Sequence, residues 1–129
     1  MEEQPVLFET AKLAKEKGFD EYYMDCYDPN GKIIPLRNQA ALIEEVFCSA
    51  PTQALLQKWF REVWRIEVFV YCNASGWMWE INKAFSKDSF SGGTSVKWSE
   101  ETGPNESGEW DTYEEALEVG LFEALKLIK

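Results

Sequence analysis

The sequence contains no histidine, which removes the commonest general base and most mixed metal sites. It also removes the Ser–His and Cys–His pairs that activate nucleophiles. Carboxylates remain, but the adjacent glutamates form pairs whose side chains point in different directions on a helix or strand. These pairs are Glu44-Glu45, Glu100-Glu101 and Glu114-Glu115. We therefore expect surface charges, no catalytic residue and no enzymatic activity.

Cysteine is scarce: Cys26, Cys48 and Cys72 lie too far apart in sequence for a zinc knuckle or a redox Cys-x-x-Cys motif. Cys48 stands just before a helix start, where a thiol pKa is lowered, but the sequence supplies neither a basic partner nor an oxyanion hole. The turn 28–31 offers oxygen atoms to calcium, but Lys32 follows where that loop needs a ligand. We expect reduced, mostly buried thiols, no metal and no cofactor.

Long apolar runs are also missing. Charged residues interrupt every such run before the roughly 20 residues that cross a bilayer. Residues 1–20 lack the basic start and apolar stretch of a secretion signal. The sequence therefore predicts a cytoplasmic protein with no membrane contact.

Basic residues are outnumbered, since 13 Lys and Arg face 23 Asp and Glu and leave a net charge of −10. The average field of such a chain repels phosphate and anionic lipid, so the charge argues against nucleic acid as a partner. Solubility is the plain interpretation of the acidity. The alternative is that the acidity imitates nucleic acid and occupies a basic protein.

Apolar material is plentiful. The chain has 129 residues, of which 45% are hydrophobic and 15% aromatic, and this is enough to bury one core. Large aromatic rings normally serve burial or interfaces. We predict a single domain over 1–129 with a mobile loop over 86–110, where Ser, Gly, Thr, Glu and Asp dominate.

Turn and cap signals divide the first half of the chain. Apolar spacing predicts a helix over 5–18, which Gly18 ends and Phe19 follows as a capping contact. Strand-forming residues over 22–27, turn chemistry and Ile33-Ile34 predict a short hairpin. One or two helical turns are expected over 38–47.

The second half carries the stronger periodicities. Apolar residues at helical spacing predict helices over 51–64 and 112–128, the latter capped by Asp111 or Thr112. A hairpin is predicted over 66–85, its first strand covered on both faces, with a weak third strand near 96–98. The predicted fold class is α+β, in which the two amphipathic helices pack on a small antiparallel sheet beside an N-terminal helix and short hairpin.

Three blocks of sequence carry a resemblance. They are APTQALLQKWFREV at 50–63, the stretch that opens TYEEALE at 112–118 and reaches Leu125-Lys126, and LAKEKGFDE at 13–21. Together they are similar to a family of small uncharacterised proteins carried by prophages and mobile elements of Bacteroides-type gut bacteria. That resemblance implies a mobile-element context. It implies no reaction, ligand or site residue, because the family has none assigned.

Nucleic-acid binding is an alternative that the order of elements raises. The predicted α-β-β-β-α order is that of double-stranded-RNA-binding domains. Lys58, Arg61 and Arg65 form a basic stripe at positions i, i+3 and i+7, and Trp77 or Trp79, if exposed, would stack bases. The last helix, however, opens with acidic residues where those domains need a basic cluster.

A protein-interaction module fits the aromatic content, the small size and the mobile-element context best. The expected partner is an unknown host or phage protein, and the sequence does not fix the oligomeric state. The function predicted from sequence is therefore that of a non-enzymatic, prophage-derived accessory protein.

Overall fold

The computed structural model describes residues 4–22, 24–83, 94–98 and 103–128. Within these ranges it is an α+β fold with four α-helices and two antiparallel sheets, so the predicted fold class is confirmed. The helices are α1 (Phe8–Glu16), α2 (Gln39–Leu42), α3 (Gln53–Trp59) and α4 (Tyr113–Leu127). The strands are β1 (Cys26–Tyr27), β2 (Ile33–Ile34), β3 (Cys48–Ser49), β4 (Ile66–Asn73), β5 (Gly76–Lys83) and β6 (Thr94–Trp98).

Helix α1 ends as the sequence predicts. Gly18 takes a φ of 103°, and the N–H of Phe19 donates to the carbonyl of Ala14 at 2.9 Å, closing a Schellman cap. Phe19 is thereby turned into the core, 1% exposed and edge-on to the Trp59 ring. The start is corrected: the helix begins at Phe8, and Pro5 instead forms an isolated β-bridge with Thr52.

A small sheet of two-residue strands follows, in the order β2-β1-β3. The predicted short hairpin is present as β1 and β2, although β1 covers only the end of the predicted 22–27 strand. The third strand, β3, was not predicted. Between β2 and β3 the predicted helical turns occur as α2 flanked by the 3₁₀ turns Leu36–Asn38 and Ile43–Glu45.

Helix α3 occupies the predicted 51–64 region. The hydroxyl of Thr52 caps it by accepting the N–H of Leu55 at 3.1 Å. The helix then widens into a π-helical turn over Phe60–Trp64 and ends at Arg65, whose φ of 57° is the left-handed conformation that terminates helices.

The larger sheet has the order β4-β5-β6, and α4 packs across β4 and β5. Val68, Trp79 and Ile81 are buried on the helix side of this sheet. The prediction that β4 is covered on both faces is wrong, because Tyr71, on the other face, is 39% exposed. Among the described elements, α4 covers one face of the sheet, so alternate residues of β4 differ in burial.

The predicted loop over 86–110 lies partly outside the described residues, as do positions 84–85 of the predicted hairpin. Inside the loop, β6 confirms the third strand, and Trp110 pairs with Trp77 of β5. Asn105 organises the stretch before Trp110, since its side-chain oxygen accepts the N–H groups of Ser107 and Glu109. The order α3-β4-β5-β6-α4 is the predicted one.

Strand β4 forms one edge of the larger sheet. The carbonyl of Val68, the third residue of this strand, accepts a hydrogen bond from the side-chain amide of Gln57 at 2.8 Å. Helix α3 therefore satisfies part of this edge.

Candidate interaction surface

The three cations of the predicted basic stripe lie at the end of α3 and just beyond it. Lys58 Nζ is 3.9 Å from a carboxylate oxygen of Glu62, and Arg61 Nη1 is 3.7 Å from one of Glu67 on β4. Arg65 is the left-handed residue that ends the helix. The structure thus places carboxylates beside two of the three cations, which lowers the positive potential that a phosphate would meet.

The two tryptophans proposed to stack bases are not equivalent. Trp79 is 3% exposed and lies against α4 at Gly120, so it lacks the exposure that base stacking requires. Trp77 is half-buried, with its ring edge-on to Tyr113 at a centroid distance of 5.6 Å. Tyr113 already occupies part of the Trp77 surface.

The two buried thiols, Cys26 and Cys48, are unsuited to nucleophilic chemistry. Cys26 pairs with Ser49 and Cys48 with Tyr27, so the two thiols point to opposite faces of the small sheet. Burial raises the pKa of Cys48 to about 11, although Lys15 opposes the shift, and burial also raises the pKa of Cys26. Both thiols are therefore protonated near neutral pH, and Cys72 is the exposed one.

The candidate calcium turn uses its carboxylate for its own backbone. Asp28 Oδ1 accepts the N–H groups of Asn30 at 2.8 Å and Lys32 at 2.9 Å. This is the Asx-turn role of an aspartate. Across the described residues, no group of three or more His, Cys, Asp or Glu side chains is arranged to hold a metal ion.

An apolar groove lies between the last turn of α1 and the chain from Gln39 to Phe47. It has a cavity volume of about 420 Å³. We call it the α1 groove, and it is lined by Lys15, Tyr22, Gln39, Ala40, Ile43, Val46 and Phe47. Its size falls within the usual range for binding clefts, which is roughly 300–1,000 Å³.

The wall of this groove is made of uncovered apolar side chains. Neither α2 nor the 3₁₀ turns beside it contain a buried residue. Among the lining residues, Ile43 is 71% exposed and Tyr22 is 41% exposed, and Ile43 is the most exposed of the large apolar residues that the structure describes. Clustered exposure of this kind marks interaction sites, whereas single exposed apolar residues do not.

Polar contacts hold the wall in place. Gln39 Nε2 donates to the carbonyl of Met24 at 2.5 Å and to that of Ile34 at 3.4 Å. Lys15 Nζ donates to the carbonyl of Phe47 at 2.6 Å. The wall is therefore tied to β2 and α1 through hydrogen bonds while its apolar side chains face outward.

Lys15 gives the groove a local positive charge. Its Nζ lies 4.2 Å from the centroid of the Phe47 ring, and no described carboxylate comes within 4.0 Å of it. Lys12, one turn earlier, is paired with Glu9 at 3.4 Å. In a chain of net charge −10, the groove thus carries a cation without a carboxylate partner among the described residues.

Sequence reasoning placed Leu42, Ile43, Val46 and Phe47 on helical turns but did not predict a groove. The sequence held no clear signal for the groove, because these four residues keep helical spacing and Asn38 is a suitable capping residue, although its side chain makes no cap hydrogen bond.

The chain matches no protein-family model, no curated protein and no solved structure. None of the described helices has the length and apolar character needed to cross a membrane.

Proposed function

We propose that the protein is a non-enzymatic interaction module, a cytoplasmic accessory factor of a prophage or mobile element, and that it binds a host or phage protein through the α1 groove. The observation that carries this proposal is the uncovered apolar wall beside Lys15. The protonated state of the buried thiols supports a role without covalent catalysis.

Burial of the wall supplies the binding energy. Complete burial of a side chain such as Ile43 contributes about 1.5–3 kcal/mol. Because the groove is already held open by Gln39 and Lys15, a partner need not spend energy in ordering it.

The charge of the groove defines the partner segment. The partner segment carries an apolar side chain that packs on the wall and an Asp or Glu side chain that reaches Lys15. Such a segment gains the hydrophobic contact together with a charge-assisted hydrogen bond. A basic segment would be repelled by Lys15 and would gain no compensating contact with a carboxylate.

The test begins with capture of a protein from a host lysate by the wild-type chain, followed by purification of that protein and calorimetric measurement of its affinity. Ile43→Ser removes the apolar wall, and Val63→Ser is its matched control because Val63 is a β-branched residue 57% exposed at another site. Lys15→Gln removes the groove cation, and Lys12→Gln is its control.

We expect Ile43→Ser to weaken binding about tenfold or more, which is the effect of a hot-spot residue, and Lys15→Gln to weaken it several-fold. The two control variants keep the wild-type affinity. Equal affinities for Ile43→Ser and Val63→Ser would refute the groove as the binding site.

The nucleic-acid alternative has its own variant. If the captured material is nucleic acid, and simultaneous Lys58→Ala, Arg61→Ala and Arg65→Ala substitutions abolish capture while Ile43→Ser does not, the basic stripe is the site and the interaction proposal fails. If the captured partner is instead a basic nucleic-acid-binding protein, and both sets of variants still capture it, the result would support the mimicry alternative.

A further inference from the structure

The outer edge of β4 carries backbone groups whose direction follows from the pairing of β5. Trp77 of β5 exchanges two backbone hydrogen bonds with Trp110, its N–H donating at 2.8 Å and its carbonyl accepting at 3.1 Å. Trp77 also lies opposite Cys72 of β4. Because the N–H and carbonyl of one strand residue point to the same side, those of Trp77 point away from β4. Cys72 and Trp77 therefore form a non-hydrogen-bonded pair, in which the backbone groups of Cys72 point outward from the sheet.

The same direction recurs at every second residue of β4, since its register with β5 is continuous from Ile66 to Asn73. Val68 and Val70 thus also turn their backbone groups to the edge, and the bond from Gln57 to the Val68 carbonyl agrees with this. Among the described residues, no hydrogen bond reaches the N–H or carbonyl of Val70 or Cys72. Helix α3 therefore covers the edge at Val68 and leaves it open over 70–73.

The open part of the edge is accessible and lacks the usual protection. Tyr71 is 39% exposed, and Cys72 and Asn73 are exposed. Proteins commonly protect an exposed edge with charged side chains, proline or a bulge. Residues 70–73 contain no charged residue and no proline, and they pair with β5 without a bulge. This stretch is therefore a template for another strand.

The open stretch is complementary to itself about Tyr71. Val70 and Cys72 flank Tyr71, so antiparallel pairing of two copies places Val70 of each copy opposite Cys72 of the other. Both residues turn their N–H and carbonyl to the edge, and two such residues placed opposite one another exchange hydrogen bonds. Every open backbone group of Val70 and Cys72 then gains a partner, and the Gln57 contact at Val68 is left in place.

The side chains suit the same pairing. Tyr71 lies directly opposite Tyr71 of the second copy, in the closely spaced type of pair where aromatic rings contact across strands. Phe69, whose ring centroid is 5.9 Å from that of Tyr71, extends the apolar surface beside this contact. Since residues 70–73 carry no charge, two chains of net charge −10 meet here without like charges opposite each other.

We propose that the open edge of β4 pairs with the same edge of a second copy of the chain, so that two three-stranded sheets join into one continuous sheet. The contact is short, and the dimer is accordingly weak and dependent on protein concentration. It does not involve the α1 groove, so the failure of either proposal leaves the other standing.

Sedimentation equilibrium of the full chain between about 10 μM and about 1 mM measures the association. A reducing agent keeps Cys72 from forming disulfides, and about 150 mM NaCl screens the net charge. We expect a monomer–dimer equilibrium with a Kd of about 0.01–1 mM, the weak range of small transient interfaces. A chain that stays monomeric at about 1 mM would overturn the proposal.

A matched pair of variants locates the contact. Tyr71→Lys places two like charges opposite each other at the centre of the pairing, and we expect it to weaken association about tenfold or more. Tyr22→Lys makes the same chemical change at a tyrosine 41% exposed in the α1 groove, and it should keep the wild-type Kd. Both variants lower the net negative charge, which by itself favours association. Equal Kd values for the two variants, or a loss of association in Tyr22→Lys alone, would refute pairing through β4.

Disulfide crosslinking tests the register. In a Cys72→Ser background, Tyr71→Cys brings the thiols of two copies directly opposite each other, at a Cα separation of about 4.5 Å that permits a disulfide. Asn73→Cys in the same background is the control, because the two copies of position 73 would lie roughly 13 Å apart along the strands. We expect the first variant to form dimers in a glutathione redox buffer about tenfold faster or more. Equal rates would show that the edges do not meet about Tyr71 and would contradict the proposal.

Discussion

At the scale of single residues, Gly120 sets how closely α4 approaches the sheet. A Cβ at this position would lie 3.0 Å from Trp79 Cβ and 3.1 Å from Val68 Cγ1. Contacts this short force the neighbouring atoms to move. Any larger side chain here therefore separates the helix from β4 and β5 and opens the packing around Trp79.

We predict that Gly120→Val destabilises the protein by about 1–3 kcal/mol, the usual cost of overpacking a core. Urea denaturation followed by tryptophan fluorescence measures the change. Ala54→Val is the control, because Ala54 is exposed on α3 and the substitution there costs only the helix propensity difference of about 0.5 kcal/mol. Equal midpoints for the two variants would contradict the close packing of α4.

The three thiols provide a second prediction at this scale. Cys72 is exposed, whereas Cys26 and Cys48 are buried and have raised pKa values, that of Cys48 being about 11. Since the thiolate is the reactive form, we expect a thiol reagent at pH 8 to modify Cys72 quickly and the other two only on unfolding. Cys72→Ser should abolish the fast phase. A fast phase that persists in this variant would show that one of the buried thiols is accessible.

The sequence predicted residue roles well where local chemistry decides them. The Thr112 cap is present, with its hydroxyl accepting the N–H of Glu115 at 3.1 Å, and so is the Gly18–Phe19 helix end. The burial of Trp79 and the exposure of Ile43 were not predictable in the same way. Their burial depends on which distant element covers them, and a local pattern contains no information about that partner.

At the scale of elements, one carboxylate ties the last strand to the last helix. Glu123 on α4 accepts hydrogen bonds from Lys97 of β6 at 2.6 Å and from Lys126 at 3.1 Å. Partial burial acts to raise the pKa of Glu123, but the two lysines outweigh it and hold that pKa below its ordinary value of 4.5. The charged form is thus the one that the folded state stabilises.

The pH dependence follows from the direction of this shift. Because the pKa of Glu123 is lower in the folded state than in the unfolded state, its contribution to stability is present above pH 4.5 and is lost as the pH falls through the folded-state pKa. We expect Glu123→Gln to lower the melting temperature at pH 7 and to have little effect near pH 3.

Glu16→Gln is the control for this prediction, since Glu16 is exposed on α1 and makes no ion pair within the described residues. It should melt with the wild type at both pH values. A difference between Glu123→Gln and the wild type that is the same at pH 7 and pH 3 would show that the ion pairs do not account for the effect.

The sequence predicted long elements better than short ones. The regions of α3, β5 and α4 were predicted because each repeats its pattern over two or more turns or several alternations, and that of β4 because its run is rich in β-branched and aromatic residues. Strand β3 has two residues and therefore no period to detect. The π-helical turn at Phe60–Trp64 also escaped prediction, because its apolar residues still fit the spacing of an α-helix.

At the scale of the whole molecule, the fold class was predictable because it depends on the number, type and order of the elements. The α1 groove was not, since it arises where α1, from one part of the chain, meets residues 39–47 from another. The resemblance to mobile-element proteins stays a prediction, and it offered no residues for a site.

The net charge of −10 acts on the molecule as a whole. Five ion pairs join described residues, most of them on exposed side chains and worth little, so repulsion between carboxylates dominates the long-range electrostatics. We predict that the melting temperature at pH 7 rises as NaCl increases from about 10 mM to about 150 mM, where the screening length shortens from about 30 Å to about 8 Å. A melting temperature that falls over this range would mean that the ion pairs outweigh the repulsion.

Gln57 covers one hydrogen-bonding group at an edge of the larger sheet. The free backbone groups of an edge strand are a template for any other extended chain, and β4 is such an edge. Because the Gln57 amide already occupies the carbonyl of Val68, an incoming strand has to displace it before pairing there. This contact thus adds a cost to the strand-on-strand growth that produces insoluble fibres.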